Sequence, residues 1–219
     1  MPHPVRSTAS RQALSNQAPS GRSATGAGAV RIIGGRYKRS KLTVASAPGL
    51  RPTPDRVRET LFNWLGQDVS GWRCLDMFAG SGALGLEAAS RGATLVDLVE
   101  RDARVARKLE AMRDRLGADM VRVHVGDALR FSAGQPKGAY DLVFIDPPYA
   151  TADDGLHPRA LEQAHRLLRA GGLAYLEAPD AGRLAAWCDA PGWTALRTAR
   201  AGAVHYALLR RDVRPEETG

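Results

Sequence analysis

Short apolar strands alternating with amphipathic helices from Trp72 onward predict an α/β chain, a mostly parallel sheet with helices on both faces. A glycine-rich loop, Ala79-Gly-Ser-Gly82, follows the first of those strands. The corner Asp146-Pro-Pro-Tyr149 follows the apolar run Tyr140–Ile145, and open sheets of this kind bind ligands at that C-terminal strand edge.

The elements follow in order. Residues 1–29 are mostly Ser, Ala, Gly, Pro and Gln with three Arg. Such a segment buries too little apolar surface to offset its ordering entropy, so a disordered basic tail is expected. Residues 30–65 form an N-terminal extension. Residues 30–33 and 42–44 read as two strands of a hairpin around Gly34-Gly35 and the basic run 36–41. Residues 51–54, Arg-Pro-Thr-Pro, make a rigid turn. Thr53 or Asp55 then caps a helix whose apolar stripe is Val57, Leu61, Phe62 and Leu65.

Residues 66–211 form the main domain, with seven strands at 74–78, 94–99, 121–125, 142–145, 173–177, 193–198 and 204–209. Helices are expected at 84–89, 102–116, 158–169 and 182–188. Residues 212–219 are a short tail.

Composition narrows the function classes. A hydrophobic fraction of 44% in 219 residues supports a real core. No apolar stretch approaches the roughly 20 residues needed to span a bilayer. The first 30 residues lack the apolar centre of a secretory signal. Cys74 and Cys188 are far apart and the histidines are scattered, so neither a disulfide framework nor a metal cluster is expected. Together these features imply a cytoplasmic protein.

The charge is uneven. Residues 1–60 hold eleven Arg/Lys against Asp55 and Glu59, a net +9, which leaves −1 for the rest of a chain of net +8. A near-neutral body with a basic arm fits a polyanion ligand, although an arginine-rich proteome would also supply a solubilising tail.

The strand edges carry the chemistry. Gly80-x-Gly82-x-x-Gly85 lets the backbone approach a ligand at a helix N-terminus. Glu100, twenty residues after Gly80, is placed to accept from ribose hydroxyls. Those two features alone also fit an NAD-binding enzyme. Asp76 argues against pyrophosphate, because an acid in the first strand favours a cation such as a sulfonium or an amino group. Asp127 is placed either to accept from an adenine amine or to cap the following turn. Asp146-Pro-Pro-Tyr149 suits a flat ring held by its exocyclic amine, or an ordinary proline-terminated strand.

Taken together, Asp76-x-Phe-Ala-Gly-Ser-Gly82, Glu100, Gly126-Asp127 and Asp146-Pro-Pro-Tyr149 resemble a class I (Rossmann-like) S-adenosylmethionine-dependent methyltransferase that modifies an exocyclic amine. Residues 31–42, 51–63 and 76–87 resemble more narrowly the bacterial 16S ribosomal RNA guanine-N2 methyltransferase family called RsmD, over about residues 30–210. Asp-Pro-Pro-Tyr is shared with DNA adenine-N6 methyltransferases, but the chain leaves no room for a separate target-recognition domain.

The resemblance implies that S-adenosyl-L-methionine is held by Asp76, Phe78, Ala79, Gly80, Ser81, Gly82, Glu100, Arg101, Asp127 and Ala128. It implies that Asp146, Pro147, Pro148 and Tyr149 hold the target base. RNA phosphates would meet Arg31, Arg36, Lys38, Arg39, Lys41, Arg51, Arg56 and Arg58. The expected partner is 16S rRNA in a small ribosomal subunit or its assembly intermediate, met by a monomer without membrane or metal.

Overall fold

A computed structural model describes residues 30–42, 53–148 and 155–213. In chain order they form α1 (Asp55–Trp64), β1 (Arg73–Asp76), α2 (Ala83–Ser90), β2 (Leu95–Glu100), α3 (Ala103–Leu116), β3 (Val121–Val125) and α4 (Ala128–Ala133). The chain continues with β4 (Tyr140–Ile145), α5 (Leu156–Leu167), β5 (Leu168–Ala178), α6 (Ala181–Cys188), β6 (Trp193–Ala201) and β7 (Val204–Arg211).

Among the described residues seven strands make one sheet, ordered β3-β2-β1-β4-β5-β7-β6. The first five are parallel, and β7 and β6 join antiparallel. The order reverses between β1 and β4, paired from Cys74↔Leu142 to Asp76↔Phe144. At such a reversal the connections leave on opposite sides and open a crevice at the strand ends. Asp76 and Asp146 are delivered to that crevice by adjacent strands.

Strand alternation sorts the core onto two faces. Cys74, Val96, Leu98, Leu142, Phe144 and Tyr206 pack with Val57, Leu61 and Phe62 of α1, Leu86 of α2 and Leu109 of α3. Leu75, Val99, Val143, Ile145 and Leu176 pack with Ala160, Leu161 and Leu167 of α5 and Leu184 of α6. Asp102, Asp127 and Asp180 cap α3, α4 and α6 by accepting from the N–H of Arg104, Arg130 and Arg183.

The structure departs from the sequence-based expectation in several places. The N-terminal hairpin is an isolated bridge, Arg31↔Lys41, around a turn at residues 36–39. Of its expected return strand at 42–44, residues 43–44 lie outside the described residues. Pro54 rather than Thr53 or Asp55 occupies the α1 N-cap, with no side-chain cap bond. A short helix, α4, follows Asp127. Helix α5 stops at Leu167, and β5 begins at Leu168 because the bulge between Tyr140 and Leu142 lets residue 168 pair with Tyr140.

The extension is bound to the sheet by a buried charge cluster. Glu87 on α2 accepts from the N–H groups of Ile33 and Gly34 at 2.8 Å each. The same carboxylate pairs with Arg58 at 3.3 Å and Arg91 at 2.8 Å. Arg91 also lies over the Phe62 ring. Ser90 closes the contact by accepting from Tyr37 N–H at 2.8 Å.

Candidate active site

The cleft at the strand reversal has a volume of about 880 Å³. Its lining brings together Asp76, Phe78, Ala79, Gly80, Ser81, Glu100, Arg101, Asp127, Ala128, Asp146, Pro147 and Pro148. Gly82 sits just behind it as the left-handed N-cap of α2. Tyr149 lies outside the described residues.

The glycine loop has a conformational reason. Gly80 and Gly82 have φ of +51° and +75°, where a Cβ would clash with its own backbone. Gly85 is needed for packing, since a Cβ there would stand 2.2 Å from Leu98 Cδ2. The loop is held from β2, where Glu100 accepts from Gly80 N–H at 2.9 Å and from Asp102 N–H at 2.8 Å.

Asp76 is 2% exposed. Burial pushes its carboxyl up to about 7, opposed by the Gly85 and Phe78 N–H groups and reinforced by Glu100. Oδ2 accepts from Gly85 N–H at 3.2 Å, while Oδ1 is buried and accepts no hydrogen bond from the described residues. A lone buried acceptor costs free energy unless a ligand satisfies it. The donor that fits is a cationic or N–H group entering the cleft. Asp127 holds both of its expected roles open: it caps α4 through Oδ1 and also lines the cleft.

On the other side, burial raises the Asp146 carboxyl well above the usual carboxylate range, and the neighbouring Glu177 and Asp76 raise it further. The Thr53 hydroxyl donates to Asp146 Oδ2 at 3.4 Å, a long bond that opposes the shift. Three acids at one strand edge favour a ligand that brings positive charge or N–H donors.

Sequence reasoning missed Glu177 and misplaced Thr53. Glu177 is 3% exposed, accepts from the Tyr175 hydroxyl at 2.7 Å and lines the cleft. The signal that marked Glu100, an acid at the C-terminal end of a strand, marks Glu177 as well. The cleft contributions of Ala201, Ala203 and Val204, at the β6–β7 turn, had no such signal.

The proposed RNA contacts divide. Arg31, Arg36, Lys38, Arg39, Lys41 and Arg56 are exposed. Arg51 lies outside the described residues. Arg58 is corrected: it is fully buried between Asp55, at 2.7 Å, and Glu87. Its charge serves internal pairing and is closed to a phosphate.

Fold and site together define a class I methyltransferase, a sheet of five parallel strands and an antiparallel pair with a glycine loop after β1 and an acid-lined cleft. A Geobacter metallireducens precorrin-6y C5,15-methyltransferase shares the fold, with a TM-score of 0.62 at 18% identity over 77% of this chain and 94% of that one. More narrowly, the chain belongs to the family described as Conserved hypothetical protein 95, whose model matches residues 30–210. It is 41% identical to the Ribosomal RNA small subunit methyltransferase D of Escherichia coli K12, over 88% of this chain and 95% of the relative. It is 38% identical to the Haemophilus influenzae protein of the same name, over 84% and 94%. A solved hypothetical protein of Thermus thermophilus superposes with a TM-score of 0.64 at 33% identity, covering 84% of this chain and 99% of that one.

Proposed function

We propose that the chain transfers a methyl group from S-adenosylmethionine to the exocyclic N2 of a guanine in small-subunit ribosomal RNA, within a small subunit or an assembly intermediate. The observation that carries this reading is one cleft with two chemically different walls. On one wall are the orphaned Asp76 oxygen, the Gly80 loop, Glu100 and Asp127. On the other is Asp146-Pro147-Pro148, at the end of the neighbouring strand. The names of the E. coli and H. influenzae relatives support the RNA substrate.

The residues present fit the cofactor. Asp76 offers an unpaired buried acceptor, which a dinucleotide pyrophosphate would repel and an ammonium group would satisfy. Glu100 stands where ribose hydroxyls would approach the glycine loop, and Asp127 where an adenine amine would. When bound, S-adenosylmethionine supplies a methyl group on a positively charged sulfur.

The chain's own work is to hold the amine. A guanine N2 is a weak nucleophile because its lone pair is delocalised into the ring. The Asp146 carboxylate and the Pro147 carbonyl would accept its two N–H groups. That pairing draws the nitrogen toward tetrahedral geometry and turns the lone pair into the cleft. Pro147 and Pro148 fix the acceptors' backbone before substrate arrives, so little reorganisation is needed. Tyr149, next in sequence, is assigned the stacking face. A paired base must be flipped out to reach this depth.

The test is Asp146→Ala with tritiated methyl donor and small-subunit particles. Turnover is expected to fall at least about a hundredfold while S-adenosylhomocysteine affinity holds within a fewfold. Turnover within twofold of the unaltered protein would remove Asp146 from the mechanism.

A further inference from the structure

Outside the cleft walls, the sharpest unexplained feature is a pair of arginines at the β6–β7 turn. This turn reverses the chain in two residues, between the paired Ala201 and Val204, with Gly202 at φ +65°. Arg200 Nε donates to the Gly202 carbonyl at 2.7 Å. From a different element, Arg56 of α1 brings Nη2 to 3.9 Å from where a Cβ on Gly202 would stand. Two guanidinium groups therefore converge on one residue.

Both arginines are exposed, and among the described residues neither forms an ion pair. Asp55, beside Arg56 in sequence, is taken by Arg58, and Glu59, one turn along on the same helix face as Arg56, forms no ion pair with it among the described residues. Charges along an edge strand such as β6 also guard against sheet extension. That role accounts for Arg197 and Arg200 on β6, but not for a cation arriving from α1.

The placement is what gives the pair a purpose. Ala201, Ala203 and Val204 of this turn line the cleft, as do Thr53 and Pro54 just before Arg56. Helix α1 is docked on this part of the sheet by Trp64 stacked on Tyr206 of β7, with ring centroids 5.4 Å apart. The backbones that carry the two arginines are therefore fixed relative to each other.

We infer that Arg56 and Arg200 form a phosphodiester clamp at the mouth of the cleft, gripping the RNA backbone beside the flipped guanosine. Guanidinium groups suit this job because their planar forks bind phosphate oxygens bidentately. The clamp lies beside residues that line the cleft, so it holds the RNA backbone in register there and adds salt-dependent affinity at that point. The inference rests on the RNA-methylation reading above.

The experiment compares the unaltered chain, Arg56→Gln/Arg200→Gln and Arg56→Lys/Arg200→Lys. Steady-state methylation of small-subunit particles is measured from low to high salt, with S-adenosylhomocysteine titrated by calorimetry as the check on folding and cofactor binding. For the Gln pair, KM is expected to rise about tenfold with kcat within threefold. The slope of log KM against log salt should flatten by roughly 1.4, the release expected for two single-strand phosphates. The Lys pair should recover the slope but not the full affinity. An active unaltered chain with the same KM and slope in the Gln pair overturns the clamp alone. An unaltered chain that methylates no small-subunit RNA overturns the clamp together with the reading beneath it.

Discussion

The two walls of the cleft are built in opposite ways. The cofactor wall is mostly local: β1, the Gly80–Gly82 loop and α2 are consecutive, and Glu100 closes the loop from the next strand by accepting from Gly80 N–H. The substrate wall is assembled from afar. Thr53, Asp146, Glu177 and the turn at 201–204 come from segments separated by roughly twenty-four to ninety-three residues, joined by the sheet and by the docking of the segment that carries Thr53. A wall of the first kind tolerates change elsewhere in the fold. A wall of the second kind depends on how the N-terminal extension and the antiparallel strands are docked.

The largest effect should come from Asp76→Asn. Loss of the negative acceptor should weaken S-adenosylhomocysteine binding by at least about a hundredfold, read by calorimetry. The same change should stabilise the free protein at alkaline pH. The sign follows from the raised carboxyl, up to about 7 in the folded chain. Its contribution to stability is full below the unfolded value near 4 and is lost as pH rises through about 7. Removing the acid should therefore raise Tm at pH 8 more than at pH 5. An equal shift at both would show that Asp76 is not the titrating group. In the unaltered chain, cofactor affinity should climb with pH up to about 7 and then level off, because the ionised carboxylate is the form that accepts a cation.

Glu177→Gln sharpens the division next. It should lower kcat about thirtyfold and leave S-adenosylhomocysteine affinity within threefold. Removing this negative neighbour lowers the Asp146 carboxyl, so the acid limb of the pH–kcat profile should move to lower pH. A profile that keeps its position would make Glu177 a structural partner of Tyr175 only.

Glu87→Gln tests the docking itself. It leaves Arg58 and Arg91 buried against a neutral amide, a loss of about 3 kcal/mol and of roughly 8 °C in Tm. The substrate wall should suffer more than the cofactor wall, with KM for RNA rising before cofactor affinity falls. The reverse order would contradict the comparison of the two walls.

The smallest effect is expected from Arg36→Gln/Lys38→Gln/Arg39→Gln. These exposed groups should change KM for RNA about fivefold, flatten its salt dependence and leave kcat and Tm alone. An unchanged salt slope would remove this turn from the RNA surface.

Much of the architecture was legible from residue pattern because strand and helix periods are local properties. The seven strands, their alternation with helices and the acids Asp76, Glu100, Asp127 and Asp146 followed from period and position. Arg58 shows where that reasoning stops. In sequence it is one more exposed-looking basic residue beside Asp55 and Glu59. Only the arrival of Glu87 from α2, twenty-nine residues on, makes it a buried counter-ion. Thr53 was likewise read as a helix cap from its neighbours, whereas the fold points its hydroxyl at Asp146, ninety-three residues away.

Local residue pattern was enough for the seven strands, for every helix except α4, for the glycine loop and for the acids at the strand ends. These depend on backbone sterics and on periodicities spanning only a few residues. Tertiary structure alone decided that Asp76, Asp146 and Glu177 share one edge, that Arg58 faces inward, and that Arg56 meets Arg200 at Gly202. Those juxtapositions depend on sheet order and packing, and no run of neighbouring residues encodes which distant charges the finished sheet will bring together.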